Sequence, residues 1–216
     1  MEEVDITTAV VTLLCIVLVL TIYVTILIRT RRTALIRTRR TINKSKKLAK
    51  LLRHNFDFAQ KHMNQSGYVL CELVCKKLAI SQSFLDQIVS NDKKTRFEFN
   101  HERTQIRAAQ GHSKRVSGLL DPSHMYTVFT GDICKHGTEQ TCVEPIMKEG
   151  LSPRNRGFVH FVGGRSGPRP RATHWINVDC TNARAMGVNF WVAGNGVILG
   201  EGIIPPSCLS VVEMRS

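Results

Sequence analysis

The chain has 216 residues, a formal net charge of +13 and an isoelectric point near 9.8. A balance this basic calls for an anionic partner, either nucleic acid or a charged membrane surface. The seven cysteines (Cys15, Cys71, Cys75, Cys134, Cys142, Cys180 and Cys208) are odd in number and none has CxxC spacing, which argues against a zinc ribbon or a disulfide scaffold and for free thiols in a reducing compartment.

Residues 6–28 are 23 residues without a charge, rich in Val, Leu and Ile, and predict one transmembrane helix in a lipid bilayer. Glu2, Glu3 and Asp5 precede it instead of the positive start of a cleaved signal peptide. Arg29, Arg31, Arg32, Arg37, Arg39 and Arg40 follow. By the positive-inside rule they place the rest of the chain in the cytosol, as a single-pass membrane protein of the ER or another membrane. The same arginines suit anionic lipid or RNA. Residues 1–42 are thus expected to hold an acidic tip, a transmembrane helix and a basic juxtamembrane segment, with a buried core helix as the other reading. Roughly 175 residues remain, enough for one domain or two small lobes.

In Ser45–His54 (SKKLAKLLRH), Leu48, Leu51 and Leu52 recur at helical spacing and the opposite face is basic. The helix is expected to end near Arg53-His54-Asn55, where cations meet the negative end of its dipole. A guanidinium and an imidazole side by side suit phosphate binding and proton transfer; the other reading is an ordinary basic surface helix. A polar turn at 62–68 leads to Val69. Leu70–Leu78 reads as a helix with Leu73, Val74 and Leu78 inward, and Ser81–Val89 as a second, capped by Ser81, with Phe84, Leu85 and Ile88 inward. Asn91-Asp92 is a break. Arg96–Phe99 and Gln105–Ala108 alternate like the strands of a hairpin turning at Asn100–Thr104. Short helices followed by a hairpin suggest a winged-helix-like lobe over 43–117, a type of module that often binds nucleic acid. Gln110–Arg115 (QGHSKR) is dense in donors, and Gly111 permits a tight bend. Arg53, His54, Arg107 and His112 can then surround one phosphate; a solvated hairpin edge is the alternative.

Residues 123–213 read as a mostly β lobe. Expected strands are Met125–Gly131, Arg156–Val162, Trp175–Asp179, Val188–Val192, Gly196–Leu199 and Cys208–Val212. A helix is expected over Glu139–Glu149, with Pro145 inside it and Gly150 as its cap, and a helical turn over Asn182–Met186. Residues 163–171 form a loop rich in Gly, Pro and Arg. No GxGxxG follows a first strand and no Walker A sequence is present, so the lobe is not doubly wound. Paired carboxylates and metal-ligand clusters are lacking, which argues against two-metal hydrolysis.

Several stretches together resemble the RNA 2'-phosphotransferase family. They are SKKLAKLLRH at 45–54, GYV at 67–69, KTRF at 94–97, IRAAQGHS at 106–113, EGL at 149–151, RGFVHF at 156–161, GVNFWVAGNGVIL at 187–199 and IPP at 204–206. Their order and spacing fit over about residues 43–212. The resemblance implies an α+β fold, a winged-helix-like lobe followed by an ADP-ribosyltransferase-like lobe, with NAD and the RNA phosphate bound in the cleft between them. It implies transfer of the splice-junction 2'-phosphate of tRNA to NAD in two steps. The phosphate displaces nicotinamide from the ribose C1'', and the ribose 2''-hydroxyl then frees the RNA, giving 2'-OH RNA and ADP-ribose 1'',2''-cyclic phosphate. The four main catalytic residues map onto Arg53, His54, Arg107 and Arg156. Gln110, His112, Ser113, Thr130, Gly131 and Arg156 are expected to hold the phosphate or NAD, with no metal. The three guanidiniums would orient the phosphate and stabilise its charge, and His54 would handle the ribose hydroxyl proton. The partners implied are 2'-phosphorylated tRNA, NAD and, through 6–28, the bilayer. A monomer is expected because no coiled-coil signal is present.

Two places depart from the family pattern. Where the family has Tyr-His-Gly-Thr at the start of its NAD lobe, the chain reads Phe129-Thr130-Gly131-Asp132, and Phe158 stands where a histidine is usual. The alternatives left open are a catalytically weak or inactive membrane-tethered RNA-binding protein and an ADP-ribosyltransferase acting on RNA ends or on protein.

Overall fold

A computed structural model describes residues 6–164, 167, 168 and 170–214. The chain divides into two compact units, Met1–Lys44 and Ser45–Ser216. The acidic tip expected at 1–5 lies outside the described residues.

Helix α1 runs from Ile6 to His54 over 49 residues. This corrects the expectation of a transmembrane helix over 6–28 and, with it, of a single-pass membrane protein. The apolar run does not stand as a separate span but shares one continuous helix with the six arginines that follow it. Among the described residues no helix is long and apolar enough to cross a membrane.

Within Ser45–Ser216 the last turns of α1 begin the core: Leu48 and Leu52 are fully buried and Leu51 nearly so, as their spacing requires. Asn55 caps the next helix, α2 (Phe56–His62), accepting from the Phe58 amide at 3.1 Å. Strand β1 (Val69–Leu70), α3 (Cys71–Leu78), α4 (Gln82–Ser90), β2 (Phe97–Phe99) and β3 (Gln105–Ala108) follow. Ser81 caps α4 through the Phe84 amide at 3.2 Å. The three strands form an antiparallel sheet in the order β1-β3-β2, with Phe97 opposite Ala108. Val74, Leu85, Ile88 and Ile106 pack against the leucines of α1 in one cluster.

Two short helices, α5 (Lys114–Ser117) and α6 (Pro122–Met125), lead into the β-rich part: β4 (Thr127–Val128), β5 (Ile133–Thr138), α7 (Gln140–Glu149), β6 (Phe158–Phe161), β7 (His174–Asp179), α8 (Cys180–Ala185), β8 (Phe190–Val192), β9 (Ile198–Glu201) and β10 (Leu209–Glu213). Two antiparallel sheets result, in the orders β4-β8-β9-β6 and β10-β7-β5. Val159, Phe161, Ile176, Val178, Phe190 and Ile204 lie in the main core of this part. The architecture is α+β.

The strand expected over Met125–Gly131 is shorter than its pattern suggested. Asp121 caps α6 with Pro122 in the first turn, so Met125 ends a helix and only Thr127 and Val128 pair with β8. Strand β5 was not expected at all. It pairs along six residues with β7, from Ile133 opposite Asp179 to Thr138 opposite His174. Helix α7 begins at Gln140 and continues through Pro145 to its Gly150 cap.

Candidate active site

Three backbone hydrogen bonds gather the site from distant parts of the chain. The Ser113 amide donates to the Arg53 carbonyl at the end of α1 (2.9 Å), the Lys114 amide to the Asn155 carbonyl (3.1 Å) and the Gly157 amide to the His112 carbonyl (3.3 Å). Ser113 and Arg156 form an antiparallel bridge at the same point. Two glycines allow this. Gly111 has φ +90°, a left-handed conformation that side chains resist, and a Cβ there would sit 3.4 Å from the Arg53 guanidinium carbon. A Cβ on Gly157 would overlap the Ser117 side chain.

The result is a cavity of about 410 Å³ whose wall includes Arg53, Lys94, Arg96, Gln110, His136, Arg156 and His160, and no carboxylate among the described lining residues. Burial, then the neighbouring Arg96 and Arg156, push Arg53 down to about 10. Its Nε and Nη2 are buried without a hydrogen-bond partner among the described residues. A guanidinium in that state is incompletely compensated and suits an anion. His112 is only 3% exposed, and its Nε2 also lacks a partner. Burial, and then Arg53, push it to about 3, so its ring is neutral near pH 7. Burial and Arg156 bring His160 to about 3 as well. Its Nδ1 lies 3.0 Å from the Phe158 carbonyl oxygen and its Nε2 2.8 Å from the Gln110 side-chain oxygen.

Arg96 is held in place by a carboxylate set back from the cavity. Asp92, whose side chain is 3% exposed, accepts from Arg96 Nε at 2.9 Å and from the Arg96 amide at 2.6 Å, while Arg96 Nη2 donates to Ser45 Oγ at 3.1 Å. This support fixes the guanidinium that faces the cavity. A second cavity of about 830 Å³ shares His136, Arg156 and His160 with the first and adds Thr138 and Arg154.

The structure brings Arg53, Gln110 and Arg156 to the wall of the first cavity, with His112 buried close enough to Arg53 to feel its charge. Ser113 stands at the backbone junction, half-buried. His54 is exposed and lines a separate groove; burial, Arg53 and Arg156 lower its pKa. Arg107 is set on other partners: Glu98 (2.9 Å from Nη2, 3.0 Å from Nε), the Ser66 carbonyl (3.1 Å) and the Tyr68 ring (4.6 Å). It lines neither cavity. Thr130 and Gly131 also stand apart from both. Thr130 is exposed, and the Phe129 and Gly131 carbonyls accept from Arg184 Nη2 at 3.0 and 2.7 Å. Asp132 accepts from Thr181 Oγ1 at 3.0 Å.

The histidine-glycine-threonine string sought at 129–132 stands instead at His136-Gly137-Thr138, at the end of β5. There His136 faces both cavities, with Nδ1 2.8 Å from the His160 carbonyl oxygen. It stands immediately before α7, and that position is the signal that would have found it. Phe158 is buried, edge-on to Tyr126 with ring centroids 5.6 Å apart, where it serves the core. Lys94, Arg96 and His160, from the KTRF and RGFVHF stretches, also line the first cavity, beyond the residues the resemblance implies.

A pocket with several arginines, no carboxylate among its described lining residues, and a guanidinium with two buried nitrogens lacking a partner among them suits an anion such as phosphate. The profile of the RNA 2'-phosphotransferase, Tpt1 / KptA family matches residues 39–202, and the chain belongs to that family. It is 33% identical over 183 residues to the "Probable RNA 2'-phosphotransferase" of Trichormus variabilis, covering 78% of this chain and 95% of that protein. To the "tRNA 2'-phosphotransferase 1" of Danio rerio it is 29% identical over 186 residues, covering 74% and 78%. A third relative, the "Probable RNA 2'-phosphotransferase" of Agrobacterium fabrum, is 30% identical over 181 residues, covering 77% and 92%.

Proposed function

We propose that the protein transfers the 2'-phosphate of an RNA, the splice-junction phosphate of tRNA, to NAD, yielding 2'-OH RNA, nicotinamide and ADP-ribose 1'',2''-cyclic phosphate. The observation that carries this reading is Arg53: two of its guanidinium nitrogens are buried without a partner among the described residues, in a cavity with no described carboxylate that it shares with Arg96 and Arg156. The two cavities meet at His136, Arg156 and His160, and their sizes lie in the ordinary range of ligand pockets. The residues fit a dinucleotide beside a phosphate. Arg154 and Arg156 offer cationic groups to a pyrophosphate, and His136, Gln110 and His160 offer directional polar contacts. NAD supplies an electrophilic ribose carbon with nicotinamide as its leaving group.

The chain's own residues orient and neutralise. Arg53, Arg96 and Arg156 grip the RNA phosphate, which is already a nucleophile, and hold it in one direction. The same groups stabilise the charge that moves onto the phosphoryl oxygens, so the proposal assigns that task to guanidiniums and to no metal. His112, neutral and buried, supplies a hydrogen bond at Nε2 without adding charge. His54, with its lowered pKa, is neutral near pH 7 and in contact with solvent, which suits a proton acceptor for the ribose hydroxyl. Arg107 acts from its place on Glu98 as a positioning residue.

The test is to incubate the full chain with NAD and an RNA bearing one internal 2'-phosphate. Loss of that phosphate with equimolar nicotinamide release is expected, and Arg156→Ala should abolish it. ADP-ribosylated RNA that accumulates without resolving points instead to an RNA ADP-ribosyltransferase. RNA binding with NAD left intact would refute the enzyme reading.

A further inference from the structure

Beside the Arg53 cavity, at the end of α1, lies a groove of about 450 Å³; its His54 still feels the charges of Arg53 and Arg156. Its cationic wall is Lys47, Lys50, Lys77 and Arg115, with His54 beside them, and Asp57 is the one carboxylate among its described lining residues. Lys47, Lys50 and His54 follow one another at i, i+3 and i+7 along the last two turns of α1, on one helix face. Lys77 comes from the last turn of α3 and Arg115 from α5. The Arg115 guanidinium sits 4.1 Å from the centre of the Phe56 ring, which orients it across the groove. Lys47, Lys50, Lys77 and Arg115 are all exposed and carry no carboxylate partner among the ion pairs of the described residues.

We propose that this groove binds the phosphodiester backbone of the RNA strand that flanks the 2'-phosphorylated nucleotide. Arg53 and His54 are adjacent residues, yet Arg53 faces the cavity and His54 the groove. A strand whose 2'-phosphate enters the cavity therefore leaves past His54 and over the lysines. Seven residues of helix span about 10 Å, room for more than one phosphate of a single strand. The partner is thus a polynucleotide, and the groove would favour an internal 2'-phosphate over a mononucleotide. This inference rests on the proposed function for the direction of the strand, but not for the existence of the binding face.

The experiment compares wild type with the combined Lys47→Gln, Lys50→Gln, Lys77→Gln variant. Fluorescence anisotropy would follow the full chain binding a labelled single-stranded RNA, with and without one internal 2'-phosphate, between low and moderate salt. Expected is at least a tenfold loss of affinity for both RNAs and a logarithmic salt slope shallower by up to about 2, since each lost phosphate contact removes about 0.7. Affinity for a mononucleoside 2'-phosphate should stay within twofold, and replacing the same lysines by arginine should restore the slope. An unchanged slope, equal loss for RNA and mononucleoside, or an acidic peptide that binds the groove more tightly than RNA would each overturn the proposal. The RNA without a 2'-phosphate reads the groove by itself. Failure of the transfer reaction in wild type therefore counts against the proposed function and not against this face.

Discussion

Arg53→Met should make the empty protein more stable while removing its ability to hold phosphate. The guanidinium stays charged near pH 7, although burial, Arg96 and Arg156 hold its pKa at about 10, well below the ordinary arginine value. That gap corresponds to about 3 kcal/mol by which the fold disfavours the charged group. Methionine keeps the apolar stem beneath Gly111 and removes the charge, so the expected gain is about 1–3 kcal/mol. The sign with pH follows from the depressed value. Below about pH 10 the group is charged in both folded and unfolded chains, so the cost is constant; it lessens only as pH rises above about 10, where the folded form releases its proton first. Urea unfolding at pH 6, 7 and 9 should thus give the same difference between variant and wild type. Adding a mononucleoside 2'-phosphate at a hundred times its Kd should raise wild-type stability by about 2.7 kcal/mol and leave the variant unmoved. A ligand-free variant less stable than wild type would refute the view of Arg53 as a strained, anion-seeking charge.

His112 makes the acid limb of stability. Its folded value of about 3 lies below the ordinary imidazole value, so stability falls as pH drops from about 6.5 toward 3; the loss by pH 5 is about 2 kcal/mol. His112→Gln should reduce that slope in urea titrations, and His160, shifted in the same direction, should keep the remainder. Gly157→Ala drives a methyl into Ser117 and should cost about 1–3 kcal/mol by thermal or urea unfolding, partly recovered in combination with Ser117→Gly. Asp92→Asn weakens the half-buried ion pair that holds Arg96 and should cost about 1–3 kcal/mol. It should also raise the Kd for a 2'-phosphate ligand by calorimetry; stability lost with Kd unchanged would make Asp92 a structural residue only.

The features legible in the sequence are those set by neighbours in the chain. Leu48, Leu51 and Leu52 declare a buried helical face by spacing alone, and all three are in the core. Ser81 announces the start of α4 by its capping chemistry. What stayed hidden was set from across the fold. Strand β5 contains Lys135, His136 and Gly137, poor strand formers, and exists because β7 pairs with it along its whole length. Without that strand the histidine-glycine-threonine string had no anchor, and a similar-looking run at 129–132 stood in for it. The apolar run at 6–28 reads as a span by its length and lack of charge, whereas the helix that contains it, Ile6–His54, also takes in the six arginines after it.

The same distinction explains why Arg53 and Arg156 were identifiable as residues but not as a geometry. Arg53 and Arg156 are brought to one cavity where residues 112–114, which lie between them in sequence, bond backbone to backbone with both flanks. Those contacts use amides and carbonyls that every residue but proline possesses, so no side-chain pattern encodes them. Their sequence trace is indirect: Gly111 and Gly157, one by its left-handed φ and one by its closeness to Ser117, stand beside the junction where any side chain would force it apart. The arginines name the chemistry and the glycines make their meeting possible. A substitution at Gly157 is therefore expected to weaken phosphate binding without touching a single charged group.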